Sequence, residues 1–104
     1  MNIAIWHHER EDHANWERFC GERVDYEGFL RRLDIACKEA VKRGHDVYLV
    51  DITVAEMERL LKHLKLENTP DNRAFVSATM VSEQPKSDKV RRYSKGLEKD
   101  VFES

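Results

Sequence analysis

His7, His8 and His13 share one seven-residue stretch with Glu9, Glu11 and Asp12. Neutral imidazoles beside carboxylates suit two kinds of chemistry. They can ligate zinc, iron, manganese or nickel. A histidine oriented by a carboxylate can also move a proton. The stretch follows the apolar run Ile3-Ala4-Ile5-Trp6, where a strand must hand over to a helix. Open α/β domains place ligands at such edges. The spacing from His7 to His13 matches no established ligand pattern, and no serine or cysteine stands out as a nucleophile. The plainer alternative is a solvated loop whose acids favour the positive end of the following helix.

The elements around this stretch follow from periodicity. Residues 2–7 read as a strand with Ile3 and Ile5 on one face, Ala4 and Trp6 on the other. Both faces are apolar, so both should be covered. Residues 12–22 read as a short helix with Trp16, Phe19 and Cys20 on one side, weakened at Gly21. Asp25 can cap a helix over 26–43, whose stripe is Tyr26, Phe29, Leu30, Leu33, Cys37, Ala40 and Val41. Gly44 suits the left-handed residue that stops it. Residues 46–52 read as a second strand. Thr53 and Glu56 then make a capping box, with Ile52 and Met57 as its hydrophobic staple. The helix they start runs through Leu60, Leu61 and Leu64. Thr69 and Pro70 start a further helix, with Ala74, Phe75, Ala78 and Val81 as its expected buried stripe. Asn68 through Arg73 therefore reads as capping sequence. Beyond Pro85, Val90, Tyr93, Leu97 and Val101 keep only a rough helical spacing.

The order β-α-α-β-α-α defines the expected fold: a small α/β domain over 1–84 with a short two-stranded parallel sheet flanked by helices. Residues 85–104 are expected to be a charged tail, as a marginal helix or disordered. A long crossover makes the two strands parallel and right-handed. Two strands alone leave two open edges, an awkward arrangement.

Parallel neighbours end on the same side of a sheet. His7, His8 and Asp51 can therefore meet at one edge as a catalytic set, with Thr53 close by. His7, His8 and His13 are the corresponding metal set. Phosphate binding at the Thr53 helix start is disfavoured, because the turn before it has no glycine and Glu56 brings negative charge.

Composition bounds the partners. The chain has 104 residues, 40% hydrophobic and 37% charged, with net charge −2. One modest core and no global attraction for nucleic acid follow. The charge is uneven. Residues 9–27 hold seven acids against three arginines; residues 86–95 hold five bases against Asp88. These ends could attract each other. The basic group Lys89, Arg91, Arg92, Tyr93 and Lys95 is the one weak nucleic-acid candidate, with arginine and lysine on phosphates and the tyrosine stacking. No apolar run is long enough to span a bilayer, and no secretory signal is expected. Cys20 and Cys37 sit on apolar stripes as reduced core thiols, which fits the cytoplasm. Trp6, Trp16 and Phe19 read as core, or as anchors for a partner if strand one lies at an edge.

The leading expectation is a non-enzymatic binding or regulatory module that self-associates or binds a protein partner. The alternative is a small hydrolase or metal-dependent enzyme built on the histidine–carboxylate cluster. The third is a nucleic-acid accessory protein acting through the basic tail. The sequence names no cofactor.

Overall fold

Both apolar runs become strands, and they pair in parallel. A computed structural model describes residues 1–93. Strand β1 (Asn2–His7) leads through a single 3-10 turn (Arg10–Asp12) into α1 (His13–Cys20) and then α2 (Tyr26–Lys42). Strand β2 (Asp46–Asp51) follows, then α3 (Val54–His63), α4 (Pro70–Glu83) and β3 (Val90–Arg92). The register places Ile3 beside Val47, Ile5 beside Leu49 and His7 beside Asp51.

The sheet corrects the expectation of two strands. It has three, in the order β1-β2-β3, with β3 antiparallel to β2. Thus Val90 and Tyr93 do not continue a helix. The loop after Pro85 turns the chain back, and Leu49 faces Arg91 across the new pairing. Tyr93 N–H donates to Val47 O, and its hydroxyl donates to the buried Asp34 carboxylate at 2.9 Å. Leu97 and Val101 lie outside the described residues. β3 closes one edge of β2; among the described residues, the outer edge of β1 carries no strand.

Strand alternation splits the core into two clusters. On one face, Ile3, Ile5, Val47 and Leu49 pack with Phe29, Leu30, Leu33, Cys37 and Ala40 of α2. On the other, Ala4, Tyr48 and Val50 pack with Met57 and Leu61 of α3 and Val76, Met80 and Val81 of α4. Trp6 and Phe19 touch both clusters. Cys20 and Cys37 are free thiols, and burial pushes Cys37 up to about 12.

The helix ends form as their sequences require. Thr53 and Glu56 make both bonds of the capping box. Thr69 Oγ1 accepts the Asn72 N–H at 3.1 Å. Asp25 Oδ1 accepts the Gly28 N–H at 2.7 Å. Gly44 has φ +83°, the left-handed stop. Two helix faces differ from expectation. In α2 the buried stripe ends at Ala40, and Val41 is exposed. In α4 the buried residues are Val76, Ser77, Met80 and Val81, whereas Phe75 is 56% exposed. This helix is apolar on two sides, so the pattern fitted two rotations and packing selected one.

Candidate functional site

The C-terminal edge of the two parallel strands gathers His7, Asp51 and Arg91 on one face of the sheet. His7 and Asp51 are register partners. Their side chains meet at 2.7 Å, Nδ1 to Oδ1. Arg91, diagonally across β2, donates through Nη2 to Asp51 Oδ1 at 3.0 Å and through Nε to Oδ2. Burial pushes the Asp51 carboxyl up, but hydrogen bonds from His7 and Arg91, with the Arg91 charge, outweigh it and hold it below its usual value. Asp51 is thus an ionised carboxylate that accepts from His7 Nδ1–H. That tautomer leaves a lone pair on His7 Nε2, the arrangement of an oriented base.

His8 and His13 do something different. They lie just past the strand end inside an aromatic box built from the same cluster that packs on Ile3 and Ile5. The His8 ring stacks on Trp16, centroids 5.0 Å apart, and lies tilted against Phe29 at 4.1 Å. Tyr26 closes the box, its hydroxyl donating to His8 O at 2.9 Å. Burial pushes the Tyr26 hydroxyl up to about 12, so it stays a neutral donor. His8 Nε2 and His13 Nδ1 are 2.9 Å apart, and His13 Nε2 reaches Val24 O. A carbonyl only accepts, so His13 carries its proton on Nε2 and accepts at Nδ1. His8 must then donate from Nε2. Its Nδ1 is left as a buried lone pair with no hydrogen-bond partner. Burial, with the neighbouring His13 and His7, lowers His8 to about 3. It is a neutral core residue, 2% exposed.

The predicted catalytic trio therefore divides. His7 and Asp51 converge; His8 turns into the core. The predicted metal trio divides too, because His8 and His13 occupy each other's facing nitrogens while His7 turns to Asp51. Among the described residues, no group of three or more histidine, cysteine, aspartate or glutamate side chains is placed to hold a metal ion.

Asp12 supplies a contact that sequence reasoning missed. Its Oδ2 accepts the Val54 N–H at 2.7 Å, while Oδ1 accepts from Asn15. The start of α3 thus holds two carboxylates, Asp12 and the capping Glu56. Both occupy the place a phosphate would need.

The basic tail is engaged with acids of the fold. Lys89 pairs with Glu56, Arg91 with Asp51, and Arg92 with Asp46 at 2.8 Å. The described tail thus meets acids between residues 46 and 56 rather than the acids at 9–27. Those acids find Arg10 and Arg32 instead, through Glu27 and Glu22. Tyr93 points its hydroxyl at Asp34 rather than offering a stacking ring to a strand of nucleic acid. Lys95 lies outside the described residues.

A second surface has no charge at all. In this charge-rich chain, the two longest runs without Asp, Glu, Lys or Arg are residues 1–8 and 74–82. They form β1 and most of α4, and they lie side by side. Between them runs a groove lined by Asn2, Ala4, Ala78, Val81, Ser82 and Pro85. Ala74, Phe75, Ala78 and Ser82 are exposed along the outer face of α4. The run lengths were a signal available in the sequence. No protein-family model matches this chain, and no solved structure matches it.

Proposed function

We propose that this chain is a non-enzymatic binding or regulatory module that works by self-association. The observation that supports this reading most is the uncharged stretch 74–82 of α4, exposed beside an edge of β1 that carries no strand among the described residues. A solvated helix in so charged a chain normally carries polar side chains on its outer face, as α2 and α3 do. An uncharged face next to an unpaired strand is the usual mark of a surface that meets protein. Two free thiols fit a reducing compartment such as the cytoplasm. No helix among the described residues is long and apolar enough to cross a membrane. Sedimentation velocity over a concentration series is the test. The wild-type chain should dimerise by high micromolar concentration, and Phe75→Glu should be monomeric with an unchanged circular dichroism spectrum. A strict monomer, or a dimer indifferent to Phe75→Glu, removes the reading.

One distance favours a second reading. His7 and Asp51 are 2.7 Å apart, within the reach that proton transfer chemistry needs. In this reading the chain is a small hydrolase, with His7 as base and Asp51 holding its ring. A screen of ester and phosphoester substrates would detect turnover lost in both His7→Gln and Asp51→Asn. Equal turnover in wild type and His7→Gln would exclude it.

A further inference from the structure

The open edge of β1 has a definite hydrogen-bonding phase. Asp46 N–H donates to Met1 O, while Tyr93 N–H donates to Val47 O and Asp51 N–H to Lys89 O. In β2, the even residues therefore bond to β1 and the odd ones to β3. In β1, the parallel register then turns Met1, Ile3, Ile5 and His7 inward to β2. The main-chain groups of Asn2, Ala4 and Trp6 point outward with no neighbouring strand among the described residues.

Those three residues are evenly spaced, and this makes the edge self-complementary. When two such edges meet antiparallel, outward residues face each other as hydrogen-bonded pairs. One register uses all of them: Ala4 opposite Ala4 of a second copy, and Asn2 opposite Trp6 in both directions. Any slip by two residues leaves outward groups unpaired. A slip by one sets outward groups against inward ones. The position on the two-fold axis is thus Ala4, the smallest side chain in the strand.

Resting on the self-association reading, we infer that two copies join through β1 about this axis, merging two three-stranded sheets into one. The helix geometry agrees independently. Ala4 and Ala78 line the same groove, so the axis passes beside the middle of α4. The two α4 helices then face each other across the axis through Ala74, Phe75, Ala78 and Ser82. Three of these side chains are small, which lets helix backbones approach closely. Residues 1–8 and 74–82 bring no charged side chain into the contact, and the exposed Asp71 sits one turn further toward the start of α4 on the same face. The strand lacks the lysines or prolines that monomeric proteins place on open edges. A closed two-fold contact consumes the edge, so growth stops at the dimer.

Residue-resolved amide exchange on the full chain tests this pairing. Ile3 and Ile5 amides, bonded to β2, should exchange slowly at every concentration. Ala4 and Trp6 amides should exchange fast in dilute solution and lose that fast exchange as the protein is concentrated. A half-labelled sample should show contacts between Ile3 and Ile5 of opposite copies. Ala78→Glu, at an exposed position, should weaken the dimer without unfolding the chain. A dimer whose Ala4 and Trp6 amides stay fast overturns edge pairing but leaves self-association standing. A strict monomer overturns both. Slow Ala4 and Trp6 amides in a monomer would place residues 94–104 of the same chain on the edge, and would overturn the pairing too.

Discussion

Asp12 accepts the backbone N–H of Val54 at 2.7 Å, across more than forty positions of sequence. This bond ties the polar loop after β1 to the start of α3. It serves as a cap supplied from outside the helix, adding to the one Thr53 supplies from within.

Asp12→Ala should therefore lower stability by about 1 kcal/mol, the usual cost of losing a cap. Asp12→Asn keeps an acceptor oxygen and should lose less. Urea unfolding of the three proteins reads the difference. If Asp12→Ala unfolds at the wild-type midpoint, the contact contributes nothing.

Acid should destabilise the fold in two steps. His8 is a base whose folded value, about 3, lies below its ordinary 6.5. Its contribution is complete above pH 6.5 and declines as pH falls, by up to about 1.4 kcal/mol per pH unit. Asp51 is also lowered in the fold. Its contribution is present above its ordinary carboxylate value and declines only below it. Loss of stability between pH 6.5 and 4.5 therefore belongs to His8, and further loss at lower pH includes Glu56, Glu27 and Asp51. Urea midpoints of wild type and His8→Gln at several pH values give the slopes. A slope unchanged by His8→Gln in the upper window contradicts the assignment.

Gly28→Ala should destabilise, against the usual rule. Alanine normally favours a helix over glycine by about 1 kcal/mol. Here a Cβ would lie 2.8 Å from the Asp25 Oδ1 cap and 2.8 Å from Val24 Cγ2. Val24 also presents the carbonyl that His13 holds. Displacing either residue loosens the cap or the histidine pair, so thermal melting should occur earlier. A variant that melts later than wild type would show that the loop yields at little cost.

The His7–Asp51 pair was legible because two apolar runs each end in a polar residue and a helical crossover makes them parallel. Register then follows from which faces must be buried. Arg91 was not legible. A three-residue strand, Val-Arg-Arg, is too short to show alternation, and its neighbours are charged. The Asp12–Val54 bond joins two loops that no local pattern relates. The rotation of α4 was misread because Ala74, Phe75, Ala78 and Val81 form as good a helical stripe as Val76, Ser77, Met80 and Val81. Only the packing against Ala4 and Val50 separates them. The burial of His8 was not legible for a related reason: polar residues near a strand end look exposed, and nothing local announces an aromatic box.

The parallel pairing of β1 with β2 also imposes an order on biosynthesis. β1 leaves the ribosome before β2, its partner, which begins only at residue 46. At about 5–20 residues per second, the strand waits for seconds before β2 exists to pair with it. During that time both of its edges are bare, and residues 1–8 carry no charged side chain that would repel another nascent chain. The acid-rich segment that follows, residues 9–27, is made next. Its excess negative charge is then the nearest local protection against premature association on a crowded polysome.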